Sequence, residues 1–127
     1  MPITPHHELG KQGEAAAVAF LEKKGYRIIE RNWRHQRNEI DIIAQYGDTL
    51  LVLVEVKTRA TDFFGFPETM LTAAQQNRLA QAATAYIEQQ QWQHELRFDI
   101  MAITQLPQYP HWHIHHIEDA FYPNSWQ

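Results

Sequence analysis

The sequence predicts an α/β domain, a mixed β-sheet flanked by α-helices in the order α-β-β-β-α-β(-β). Three observations carry that prediction. Two segments repeat apolar residues at helical spacing, a central run is apolar on both alternating sets, and Gly or Pro punctuates the chain between elements. A length of 127 residues fits one compact unit, with a core over about residues 8–122 and a short N-terminal tail, 1–7.

Leu9 to Lys24 is alanine-rich, with Leu9, Ala16, Ala17, Phe20 and Leu21 on one stripe and Gly25 at the C-cap position. Tyr26 to Trp33 reads as the first strand. Arg37 to Gln45 and Leu50 to Thr58 read as the second and third, joined through Tyr46-Gly47-Asp48-Thr49 as a hairpin. In the third strand Leu51 and Leu53 on one face and Leu50, Val52, Val54 and Val56 on the other are all apolar, which predicts a strand covered on both faces near the sheet centre. Residues 59–68 break this periodicity, and Phe63, Phe64 and Phe66 suggest a loop pinned by aromatic anchors. Thr72 followed by Gln75 is a capping-box signature. The helix it opens places Leu79, Ala82, Ala83, Tyr86 and Ile87 on one amphipathic face. Leu96 to Thr104 and Trp112 to Ile117 complete the strands, with Pro107 and Pro110 between them.

Composition narrows the function classes. The chain has no cysteine, which excludes a disulfide scaffold, a thiol nucleophile and Cys-ligated metal sites. Its longest apolar stretches, Ala15 to Leu21 and Leu50 to Val54, fall far short of the roughly 18 residues of a membrane span. The first residues lack a signal-peptide pattern, so the expectation is a soluble, cytoplasmic protein without a membrane role. Net charge is −4, but residues 1–59 carry nine Lys or Arg against eight Asp or Glu, and residues 60–127 carry two against seven. Lys23, Lys24, Arg27, Arg31, Arg34 and Arg37, opposed only by Glu30, form a basic run suited to phosphate contacts or, equally, to a solvated edge.

Charge at the ends of apolar strands marks the candidate chemistry. Glu39 and Asp41 share one strand face by their spacing, as do Glu55 and Lys57. With Tyr46 opposite Leu50, the hairpin register sets Asp41 opposite Glu55, where like charges repel unless a divalent cation lies between them. Two carboxylates with waters and phosphate oxygens suit Mg²⁺. Lys57 is placed to orient water or stabilise charge on a phosphate. Glu14 has Ala17, Val18 and Leu21 at helical spacing on its own side, so it is expected to face the sheet. An ion-paired network without metal accounts for the same spacing, which leaves both readings open.

Asp41 followed at a distance by Glu55-Val56-Lys57 resembles the PD-(D/E)XK nuclease signature. Gly10-Lys11-Gln12-Gly13-Glu14, Gly25-Tyr26, Arg31-Asn32-Trp33-Arg34, Glu39 to Ala44, Val54 to Arg59, Phe64-Gly65 and Arg97-Phe98-Asp99 follow in order. Together they resemble the YraN-like family of bacterial proteins, related in fold to Holliday-junction resolvases, over about residues 8–122. The resemblance implies a restriction-endonuclease-like fold and a Mg²⁺- or Mn²⁺-dependent endonuclease acting on structured, branched or damaged DNA. It implies that Asp41 and Glu55 are metal ligands joined by the Val56 main-chain carbonyl, that Lys57 is the catalytic lysine, and that Glu14 is the first-helix catalytic acid placed near the metal; Glu14 and Glu39 are further candidate ligands. The expected DNA surface is the run from Lys23 to Arg37, with Arg59 and Gln75. Asn38 and Gln75 depart from the family pattern, which usually has Gly and Lys there.

His111, His113 and His115 alternate on a strand, a pattern open to a transition metal but equally to a polar sheet edge. Symmetric cleavage of two strands would imply a homodimer. A non-catalytic nucleic-acid-binding module of the same fold and a protein-interaction scaffold are the alternative functions.

Overall fold

The computed structural model describes residues 5–59, 70–105 and 111–126, with side chains from residue 8 onward. Helix α1 spans Pro5–Lys23 and starts four residues before the sequence expectation, so residues 5–7 belong to it and not to a tail. Proline suits a first helical position because its fixed φ is helical and its missing N–H has no partner there in any case. Strands β1 (Arg27–His35), β2 (Asn38–Tyr46) and β3 (Leu50–Arg59) follow. Helix α2 (Ala73–Gln90), strands β4 (Glu95–Thr104) and β5 (His113–Ile117) and a 3₁₀ turn at Asn124–Trp126 complete the order. The aromatic loop with Phe63, Phe64 and Phe66, and the prolines 107 and 110, lie outside the described residues.

The five strands form one sheet in sequence order, β1-β2-β3-β4-β5. All neighbours are antiparallel except β3 and β4, which are parallel because α2 carries the chain back between them. This mixed sheet, with a helix against each face, has the restriction-endonuclease-like arrangement expected from the motifs. Strand β3 is central, as its doubly apolar pattern requires. Leu51 and Leu53 join Leu79, Ala82, Ala83 and Tyr86 on the α2 side, while Val52 and Val54 join Ala17 and Leu21 on the α1 side. The α2 capping box forms as read: the Thr72 hydroxyl accepts from the Gln75 N–H, and the Gln75 side chain accepts from the Thr72 N–H.

Strand pairing is uneven along its length. The β2–β3 ladder runs from Tyr46↔Leu50 to Ile42↔Val54. Beyond that point β2 stays with β1 as far as His35↔Asn38, and β3 stays with β4 as far as Arg59↔Thr104. The sheet therefore forks. Ile40 joins the α2-side core while Ile42 joins the α1-side core, so the normal alternation of β2 breaks at Asp41, at the mouth of the fork.

Candidate active site

The hairpin register places Asp41 and Glu55 opposite each other one step beyond the last ladder pair, at the fork. An Asp41 carboxylate oxygen accepts the Val56 N–H at 2.8 Å, in place of the main-chain acceptor that a continued ladder would supply. The N–H and C=O of a strand residue point to the same edge, so the Val56 carbonyl also faces into the fork. Lys57 Nζ lies 3.8 Å from Glu55 Oε1, and both side chains are mostly buried.

Burial raises the Asp41 pKa to about 6, helped by the charges of Glu14 and Glu39 and opposed by the Val56 N–H. Burial also raises Glu55, to about 8; the Asp41 charge adds to the shift and Lys57 opposes it. With both carboxyl groups raised and facing each other, this pair retains a proton near neutral pH. That proton marks a shortage of positive charge. A divalent cation would displace it, and hard carboxylate and carbonyl oxygens are the donors that Mg²⁺ and Mn²⁺ prefer. Among the described residues no three His, Asp or Glu side chains form a ready-made metal cage. The fit is thus to two carboxylates completed by water, carbonyl and substrate oxygens.

A cavity of about 680 Å³ opens in front of Asp41 on the α1 side, lined by Glu14, Glu39, Asp41, Lys57, Arg31 and Arg34 among others, while Glu55 lines a smaller recess on the α2 side. Glu14 faces the sheet as its spacing predicts, and its Oε1 accepts from Asn32 Nδ2 at 2.8 Å and from Arg31 Nε at 3.4 Å. Glu39 pairs with Arg34, Nε to Oε2 at 3.0 Å. Helix α1 is held close to β3 by Gly13: a Cβ there would overlap Thr58 Oγ1 and sit 2.7 Å from Thr58 Cγ2. Only glycine permits this approach, which carries Glu14 to the fork.

A profile described as "Uncharacterised protein family UPF0102" matches residues 13–103. The chain belongs to this family. It is the YraN-like family that the ordered motifs resemble. The UPF0102 protein of Bacteroides thetaiotaomicron is 46% identical over 121 residues, 95% of this chain and 98% of its own. Those of Flavobacterium psychrophilum, 45% over 120 residues, and Phocaeicola vulgatus, 42% over 124, are covered over 98% and 100% of their own length and over 94% and 98% of this chain.

Within this UPF0102 chain the predicted basic run is divided. Arg31 and Arg34 line the cavity with Arg59, and Arg37 lines a smaller recess of about 210 Å³ beside Glu55 on the α2 side. Lys24 instead lies beside β5, with its Nζ 2.9 Å from His116 Nδ1; Arg27 donates to Gln45 near the β2–β3 hairpin, and Lys23 ends α1. The two departures from the family pattern have local partners. Asn38 is buried and donates to Gln81 on α2, and Gln75 lines the α2-side recess while completing its capping box. His113 and His115 are exposed, as a polar edge requires, and His116 turns inward.

Three residues escaped the sequence reading. Asn32, in the left-handed region at φ 52°, holds Glu14; Arg78 lines the recess with Arg37; Gly13 sets the helix approach. Only Gly13 and Asn32 carried a signal, as members of quoted motifs without an assigned role.

Proposed function

We propose that this protein is a metal-dependent DNA endonuclease that hydrolyses phosphodiester bonds in structured, branched or damaged DNA. One observation carries the reading: the sheet forks where Asp41, Glu55 and Lys57 meet, and two mostly buried carboxyl groups with raised pKa values face each other there beside a single described lysine. Asp41, Glu55 and the Val56 carbonyl would hold Mg²⁺ or Mn²⁺. Such an ion supplies Lewis-acid polarisation of the phosphodiester and lowers the pKa of the attacking water.

The other roles belong to the chain itself. Lys57, mostly buried beside Glu55, donates to the attacking water or to the developing phosphate charge. Arg31 and Arg34, on the cavity wall, offer phosphate contacts while tying down Glu14 and Glu39. Arg37 and Arg78, exposed beside Glu55 on the other side of the fork, extend the cationic surface across the end of the sheet. A backbone that changes direction at the fork reaches both sides, which supports branched over straight duplex DNA. Symmetric cleavage of two strands would require two copies of the chain.

The test is cleavage of a four-way junction, a flap and a linear duplex in millimolar Mg²⁺ or Mn²⁺, by the native protein, Asp41→Asn and Lys57→Ala. The native protein should cut a branched substrate, with both variants slower by about 10²–10⁴-fold. Binding without cleavage by all three proteins would assign the fork to a non-catalytic DNA-binding module.

A further inference from the structure

Strand β1 contains a backbone anomaly opposite the acidic pair. Asn32 has φ 52°, left-handed, within an otherwise extended strand. It falls between the pairs Arg31↔Ile42 and Trp33↔Ile40, so it lies across from Asp41. Successive strand side chains normally point to opposite faces. Here Arg31 and Asn32 both donate to Glu14 Oε1, and the left-handed step at Asn32 is the departure that brings them together. The shorter bond, 2.8 Å, comes from Asn32. Asparagine is one of the few side-chain-bearing residues that adopt this backbone readily, and its amide can donate without adding charge.

The consequence for Glu14 is asymmetric. Its Oε1 is occupied by two donors, while among the described residues no protein donor is recorded for Oε2. The side chain is mostly buried, lines the cavity with Asp41, and raises the Asp41 pKa by its charge. A pinned carboxylate with one uncommitted oxygen, lying outside direct ligation by a three-residue cage, is suited to hold a water in the shell of a bound cation.

We propose that Asn32 is a positioning residue: through its left-handed backbone and side-chain amide it fixes Glu14 Oε1, so that Oε2 serves the outer sphere of a divalent cation held by Asp41 and Glu55. This rests on the metal-dependent reading of the fork. The test is a Mn²⁺ titration of the native protein, Asn32→Gly and Glu14→Gln, followed by the free-Mn²⁺ paramagnetic signal and by thermal stability. Glycine accepts the left-handed backbone and removes the side chain that carries the amide. Asn32→Gly should retain the metal-free melting temperature yet weaken Mn²⁺ binding by about 10–100-fold. In a Glu14→Gln background the same substitution should cost less than about twofold more, because the interaction it removes is already gone.

Native Mn²⁺ affinity in Asn32→Gly overturns the positioning role while leaving the metal site standing. Absence of a Mn²⁺ response in the native protein overturns both. If Asn32→Gly does not fold, the Asn32 side-chain amide resonance carries the test in the other two proteins. It should shift with Mg²⁺ in the native protein and stay fixed in Glu14→Gln; an amide indifferent to Mg²⁺ in the native protein overturns the proposal.

Discussion

Two buried polar clusters on this sheet answer the same electrostatic problem in opposite ways. One strand over from the fork, Asp99 on β4 pairs with Val54 and is fully buried, yet each of its lone-pair directions is served. Arg97 donates to both oxygens at 2.8 and 2.9 Å, the Asp119 N–H donates to Oδ1, and His116 Nε2 lies 2.7 Å from Oδ2. Lys24, a pure donor, faces His116 Nδ1, so the ring proton sits on Nε2 toward Asp99. Tyr26 and Glu118 close the network around Arg97. Although burial opposes it, hydrogen bonds from His116 and Arg97 lower the Asp99 pKa. At the fork, Asp41 and Glu55 are also mostly buried, but their pKa values rise and they retain a proton. An ionic network built for stability saturates its carboxylate with donors. The fork leaves its carboxylates short of donors and open to a cavity, as a site awaiting a cation does.

The comparison is broken most severely at Asp99. Asp99→Ala removes the carboxylate that the mostly buried Arg97 and His116 both contact and should cost about 3–5 kcal/mol, whereas Asp41→Asn should leave stability unchanged or raise it slightly. Urea denaturation of both variants checks this, and equal losses would erase the distinction. The next effect is steric. Gly13→Ala drives a methyl group into Thr58 and should destabilise by about 1–3 kcal/mol. Thr58→Ala, which removes the two overlapped atoms, should recover much of that loss in the double variant.

A smaller effect separates the clusters by pH. The raised pair binds a proton in the folded state that the unfolded chain releases near pH 4. Its contribution is complete below about pH 4 and is lost as pH rises through about 6 and then 8, by about 1–3 kcal/mol. The lowered Asp99 has the opposite sign: its contribution is present above about pH 4 and is lost on acidification. Metal-free stability should therefore decline between about pH 4 and 8, and Asp41→Asn or Mn²⁺ should flatten that decline. The smallest effect is at Lys24, whose contacts are partly exposed; Lys24→Ala should cost under about 1 kcal/mol. By contrast, Arg37→Ala with Arg78→Ala should weaken DNA binding and its salt dependence, while Lys23→Ala with Arg27→Ala should alter neither.

Much of this arrangement is readable from residues close in sequence. The capping box, the doubly apolar β3 and the even hairpin register depend on local spacing, and each predicts the observed neighbours. The register alone brings Asp41 and Glu55 together. The Asp99 network is not readable in this way, because Tyr26, Arg97 and His116 lie on separate strands or connections and no periodicity links them. The basic run was divided for a related reason. Charge density along the chain says nothing about direction, and β1 is long enough to carry Arg27 to one end of the molecule and Arg34 to the other. The role of Asn32 depends on a backbone angle, which spacing does not specify.

The fork has one further consequence. Past Val54, β3 turns one row of main-chain donors and acceptors toward a strand that has moved away. Such a row is a template for adding another strand, and unprotected it invites association between molecules through main-chain hydrogen bonding. Asp41 occupies the first N–H of that row, and Glu55 and Lys57 place charge along it. The groups assigned to chemistry therefore also act as guards against self-assembly. Apolar replacements at Glu55 and Lys57 would expose a sticky edge inside an otherwise folded molecule, so inactive variants for binding studies are better made with polar isosteres.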